Sequence, residues 1–371
     1  MKLETIAIHS GNSVDPVNKA VIQPITLSTT FERPDNMGEG FLYTRAANPN
    51  RQSLENLLAQ LEGGEDACAF SSGNAAGLTV FQALEPGSHV ILPDDMYHGL
   101  RNAVLQVLNG VLEVTLADMT NLREVELAIR DNTRLIWIET PSNPLLKVTD
   151  IEAICAIATT NNILVGCDNT FATPVLQRPF ELGADIVMHS STKYLSGHSD
   201  VLGGALICKK KSDLWNRIRS IQELAGAVPS PFDCYMIVRG AKTLPYRMRG
   251  HVENGLKLAE YLHDHPQIEQ VFYPGLKDHP GYGTAQKQMS GPGGMMSFLV
   301  KSGEADARKL VKLVKVFTNA TSLGGVESLM EHRASAEGPD TKTPKNLIRV
   351  SVGLENIDDL ITDLDQAFTR L

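Results

Sequence analysis

From about residue 50 to residue 210 short apolar runs alternate with helix-like segments, and that rhythm restricts the chain to a sheet of mostly parallel strands covered by helices on both faces. The apolar runs fall at 67–70, 89–92, 112–116, 135–138, 163–167, 184–188 and 205–208, with helical patterns such as 53–61 and 75–84 between them. At 371 residues and 42% hydrophobic composition the chain can bury a substantial core and has the length of about two domains.

Outside this stretch the pattern changes. Residues 1–47 carry Pro16, Pro24, Pro34, Gly38 and Gly40 and read as an extended arm, of the kind that packs on a neighbouring subunit. Residues 48–245 form the expected α/β domain. Residues 246–371 read as a smaller α+β domain: a long helix over 249–263, strands over 295–300 and 347–352, a helix over 304–314 between them, and a last helix over 356–371. Residues 337–345, with two prolines and a glycine, read as a surface loop.

A formal charge of −9, with both signs scattered along the chain, argues against nucleic acid or an anionic membrane as the main partner and favours a small metabolite. The longest uncharged stretch, 67–84, contains Ser71, Ser72, Gly73, Asn74 and Gln82 and is too polar for a membrane span. The start of the chain has Lys2 and Glu4 and no apolar export segment, so a cytoplasmic location is expected. Five cysteines without a CxxC read as reduced core residues. The histidines have no ligand spacing, so no metal is expected.

The run Val187-Met188-His189-Ser190-Ser191-Thr192-Lys193 places a lysine among hydroxyls directly after an apolar strand. An amine there attacks a carbonyl once its surroundings lower its pKa, and Ser190 and Thr192 offer partners to a phosphate. Lys193 is therefore the candidate for a Schiff base with pyridoxal 5′-phosphate, although alone such a run also fits a solvated loop. Ser72-Gly73-Asn74 ends a strand and opens a helix, where free N–H groups bind a phosphate. Asp168 follows another strand and can keep a pyridine nitrogen protonated, making the ring an electron sink. Tyr97, in Asp94-Asp95-Met96-Tyr97-His98-Gly99, can stack on the cofactor and serve as an acid or base. Asn143, between Pro141 and Pro144, can contact the ring hydroxyl or the substrate. Arg349 lies within a strand. Facing inward it can hold an α-carboxylate through a two-pronged contact, and facing outward it is merely solvated.

With these segments the chain resembles, over nearly its whole length, the Cys/Met-metabolism family of pyridoxal phosphate enzymes, which includes cystathionine γ-synthase, cystathionine γ-lyase, cystathionine β-lyase and methionine γ-lyase. The resemblance is carried by Tyr43-Thr44-Arg45, Leu61-Glu62-Gly63-Gly64, SSGNAA from Ser71, DDMYHG from Asp94, ETPSNP from Glu139, DNTFATP from Asp168, HSSTKYLSGHSD from His189, SLGGVESL from Ser322 and IRVSVGLE from Ile348. It implies a fold-type I enzyme in which Lys193 carries the cofactor and acts as base, with Tyr97 as the second catalytic side chain. It implies further that Asp168 meets the ring nitrogen, that Ser72, Gly73, Asn74, Ser190 and Thr192 hold the phosphate, and that Asn143, Ser322 and Arg349 bind the substrate. Tyr43 and Arg45 reach the phosphate of the adjacent subunit in this family, which implies a tetramer of two site-sharing dimers.

The reaction so implied is γ-elimination or γ-replacement on cystathionine or an O-acylhomoserine. Cystathionine β-lyase, methionine γ-lyase and an aminotransferase of the same fold are the alternatives. Gly99, where methionine γ-lyases carry a cysteine, and Leu323, where one group of β-lyases carries a tryptophan, favour the γ reading. Thr321 stands where a glutamate is frequent, and residues 331–344 depart from the family's usual pattern.

Overall fold

The apolar runs become the strands of two sheets. The computed structural model describes residues 1–33, 40–339 and 341–371, so Pro34 and Gly38 of the expected arm lie outside the described residues. The larger sheet has seven strands: β1 (Asp66–Phe70), β2 (His89–Pro93), β3 (Glu113–Ala117), β4 (Thr133–Glu139), β5 (Leu164–Asp168), β6 (Ile186–His189) and β7 (Gly204–Cys208), in the order β1-β7-β6-β5-β4-β2-β3. Pairings from β3 through β2, β4 and β5 to β6 are parallel. β7 runs antiparallel to both neighbours, which brings the carboxyl end of β1 to the same edge as those of the parallel strands.

Alternation along β4 explains why both faces are covered. Ile136 and Ile138 pack into one buried cluster with Leu54 and Ile154, while Leu135 and Trp137 pack into the other with Phe81 and Val80. The smaller sheet comprises β8 (Ile268–Phe272), β9 (Met295–Val300), β10 (Thr318–Asn319), β11 (Leu329–His332) and β12 (Leu347–Ser351), ordered β10-β11-β12-β9-β8. Its core joins Phe298, Met330 and Ile348 to Leu258, Leu310 and Leu364 of the helices Leu244–His263, Glu304–Leu313 and Ile357–Phe368.

The structure departs from the expected elements in four places. The arm is not extended throughout: Leu3–His9 is a helix whose Ala7 is fully buried, and it packs against the helix Pro49–Glu62. The strand expected from residue 184 starts at Ile186, because the Ala184 N–H turns back to the Pro179 carbonyl. β8, β10 and β11 had no counterpart among the expected strands. Glu337, placed in a loop by its sequence, closes the helix Arg333–Glu337. No described helix is long and apolar enough to cross a membrane.

Candidate active site

Six strands of the large sheet end at one edge, and the segments at the ends of five of them, β1, β2, β4, β5 and β6, wall a cavity of about 620 Å³. After β1 comes Ser72, extended at φ −161°, whose Oγ caps the helix Gly73–Gln82 by accepting from the Ala75 N–H at 3.1 Å. The next backbone donors back toward the turn, Gly73 and Asn74, find no acceptor among the described residues, as the first turn of a helix requires. A Cβ on residue 73 would come within 2.8 Å of the Ser190 Cβ, so only glycine keeps this turn against the segment after β6. Ser190 lines the cavity with a hydroxyl available to it, whereas the Thr192 Oγ1 is engaged with the Gly203 backbone at 3.1 Å.

Lys193 lies in the turn after β6, and its Nζ donates to Ser322 Oγ at 2.7 Å. Burial, helped by the charges of Arg349 and Arg333 against that of Glu331, lowers its amine to about 8. Ser322 sits at φ +94°, rare for a residue with a side chain. Its carbonyl accepts from Arg349 Nη2 at 3.0 Å, so the lysine and the arginine hold both ends of it. Arg349 faces inward from β12 and is buried; its Nη1 donates to Asn143 Oδ1 at 3.0 Å, which brings the two predicted substrate residues together.

Asp168 is buried at the end of β5, accepts from the Thr170 N–H at 2.9 Å, and has no cation of the described chain paired with it. Burial raises its carboxyl above the usual range, against the Thr170 hydrogen bonds and the His189 charge. Glu139 lies directly across from it in the β4–β5 register and is raised further, by burial and then by Asp168 itself. Glu139 Oε2 accepts from the Tyr97 N–H at 2.9 Å and so fixes the turn that carries the tyrosine. Tyr97 is 39% exposed and lines the cavity, and a Cβ on residue 99 would stand 2.6 Å from its ring, which gives Gly99 a steric reason.

Tyr43 and Arg45 are not brought to this cavity. They lie together elsewhere on the chain, the Arg45 guanidinium 5.8 Å from the Tyr43 ring centroid.

Sequence reasoning passed over Glu139, Thr170 and a buried group around Arg333. Glu139 ends an apolar strand just as Asp168 does, a signal that could have found it. Asp95, which accepts from the Leu145 N–H at 3.1 Å and from Ser142 Oγ, ties the tyrosine turn to the asparagine turn.

The family model described as Cys/Met metabolism PLP-dependent enzyme matches residues 4–369. The chain belongs to that family. A protein of Mycobacterium leprae named cystathionine gamma-synthase is 47% identical, with 98% of this chain and 96% of the relative covered. One of Coxiella burnetii named cystathionine beta-lyase is 42% identical, with 98% and 97% covered. Among solved structures, a cystathionine gamma-lyase from Lactobacillus plantarum complexed with L-serine superposes with a TM-score of 0.95 at 40% identity, covering 100% of this chain and 99% of that one.

As a member of this family the chain is a pyridoxal phosphate enzyme acting on small amino-acid substrates, and the cavity fits that cofactor. One end offers two unpartnered N–H groups and the Ser190 hydroxyl to a phosphate, in a cradle that a Cβ on residue 73 would fill. Another wall offers a buried carboxylate lacking a cation, which a protonated ring nitrogen supplies. The same cavity holds an amine lowered to about 8, suited to an aldehyde. Among the described residues no group of three or more His, Cys, Asp or Glu side chains is gathered to hold a metal ion.

Proposed function

We propose that the chain is a transsulfuration enzyme acting at the γ-carbon, by elimination or replacement, on cystathionine or an O-acylhomoserine. The observation that carries this reading is the convergence of Lys193 Nζ, Ser322 Oγ, Asn143 and Arg349 on one cavity beside Tyr97. Bound there, pyridoxal phosphate supplies an aldehyde for the substrate amine and a ring that withdraws electrons from its α-carbon. Asp168 would hold the proton of the ring nitrogen, Ser72, Gly73, Asn74 and Ser190 would hold the phosphate, and Thr192 would join them by turning its hydroxyl from the Gly203 carbonyl to the phosphate. Arg349 and Asn143 would orient the α-carboxylate, and Ser322 holds the Lys193 amine through its Oγ. Lys193 is the base for the α proton, its amine lowered to about 8 so that the neutral form is reached far more readily than in a solvated lysine. Tyr97, at the cavity wall, would face the ring and assist departure of the group on the γ-carbon.

Residues 1–47 act as the arm, 48–245 as the cofactor domain and 246–371 as the small domain. Tyr43 and Arg45 complete the phosphate site of an adjacent subunit, within a cytoplasmic tetramer of two such dimers. Their distance from the cavity of their own chain, and the exposed Val14, Val17, Val21, Leu27 and Leu42 of the arm, support this arrangement.

Incubation of the holoenzyme with L-cystathionine tests the reaction. 2-Oxobutyrate with cysteine marks γ cleavage, and turnover of an acylated homoserine with cysteine to cystathionine marks γ replacement. The second reading, β-lyase, is favoured by the Coxiella relative, and pyruvate with homocysteine as the main products would replace the first reading with it.

A further inference from the structure

The cations lining the cavity are Lys193, Arg349 and Arg333. An ordinary 2-amino acid occupies two of them, exchanging its amine at Lys193 and giving its α-carboxylate to Arg349. Arg333 is left over. It is 1% exposed, and it follows β11 at the start of the helix Arg333–Glu337.

Its guanidinium is held from three sides. Nη1 donates to Glu331 Oε1 at 2.9 Å, Nε to Glu337 Oε1 at 2.9 Å, and Nη2 to His98 Nδ1 at 3.0 Å. Glu337 is itself fixed by the hydroxyls of Thr341 and Thr343. A guanidinium only donates, so the His98 nitrogen facing it accepts, and the ring carries its proton on Nε2. Of five guanidinium N–H groups, three meet these partners, and the remaining two, one on each terminal nitrogen, have no acceptor among the described residues. A preorganised arginine with an N–H free on each terminal nitrogen, at the wall of a substrate cavity, matches a carboxylate.

We propose that Arg333 is a specificity-determining residue that receives a second carboxylate, carried by the substrate beyond its γ-carbon. The inference rests on the γ-acting reading above and narrows it to substrates with a distal carboxylate, such as cystathionine or an ester of homoserine with a dicarboxylic acid. Glu331 and Glu337 set the orientation of the fork before the substrate arrives, and His98 holds its far edge.

The test compares two unreactive amino acids of equal chain length, L-2-aminosuberate and L-2-aminooctanoate, by the change each causes in the cofactor absorbance of the holoenzyme. The first has as many chain atoms between its α-carbon and second carboxylate as cystathionine has, and the second ends in a methyl group instead. The wild-type holoenzyme is expected to bind the dicarboxylic acid at least tenfold more tightly. Arg333→Met should abolish that preference, and Arg333→Lys should retain part of it. Because Arg333→Met leaves buried carboxylates without their cation, the double variant R333M/E337Q and the thermal midpoint of each protein control for folding. Equal affinities in the wild type, or a preference that survives Arg333→Met, would overturn the proposal and make Arg333 a structural clamp. If neither compound alters the cofactor spectrum or inhibits turnover, the amino-acid site itself is misassigned and both readings fall.

Discussion

Lys193 needs an unprotonated amine at a position where solvent would keep it charged. The turn after β6 removes the solvent, and Arg349, whose Nη2 holds the carbonyl of the same Ser322 whose Oγ accepts the lysine's hydrogen bond, adds a like charge. Both effects disfavour the ammonium, so the neutral form becomes abundant from about 8 upward instead of near the 10.5 of an ordinary lysine. The rate at which apoprotein takes up pyridoxal phosphate is therefore expected to rise with pH and reach its half-maximum near 8, read from the growth of cofactor absorbance after mixing. Arg349→Met removes the second largest cause of the shift and should move that midpoint upward. A midpoint near 10 in the wild type, or one unmoved in the variant, would contradict this electrostatic account. Ser322 has a φ of +94°, a conformation that costs on the order of 1–3 kcal/mol, and two hydrogen bonds from opposite directions hold it there.

The element that presents the lysine is a turn braced from behind. Arg247, buried on the helix Leu244–His263, donates to the carbonyls of Tyr194 at 2.7 Å and Gly240 at 2.9 Å, while Gly197 closes the turn at φ +72°. A Cβ on residue 197 would overlap the Arg247 guanidinium as well as straining the backbone. Gly197→Ala should thus cost clearly more than the roughly 1 kcal/mol of a left-handed glycine alone, and loosen cofactor binding. Gly110, at φ +76° with open space around it, provides the comparison, and equal losses of thermal midpoint in Gly110→Ala and Gly197→Ala would refute the brace. Elements of this kind were legible where an apolar strand gives way to polar residues: Asp168 ends such a strand, Ser72 and Lys193 lie shortly after two others, and all three line one cavity. β11 was not legible, because Glu331 and His332, themselves buried and bonded to Arg333 and to the Lys345 carbonyl, break its apolar run and imitate a loop. The cluster around Arg333 was hidden for a different reason. Its contact with His98 spans 235 residues, and no local spacing announces it.

The phosphate end of the cavity is not completed by the chain's own Tyr43 and Arg45, which lie away from it, and Tyr43 is 49% exposed. If a neighbour's Tyr43 and Arg45 supply that end, defects in Lys193 and Arg45 must complement each other between subunits. Lys193→Ala lacks the base but keeps Arg45 to offer, and Arg45→Ala keeps the base but has no arginine to lend. A hybrid dimer of the two contains one site with both residues intact and one with neither. Random reassembly of an equal mixture makes half of the dimers hybrid, so about a quarter of the wild-type sites should return, above the sum of the unmixed variants. Sites built within single chains would give no recovery on mixing, because every chain would still lack one of the two residues. Turnover measured before and after co-refolding therefore separates the two arrangements, and recovery would assign the arm bearing Tyr43 and Arg45 to the neighbour's active site.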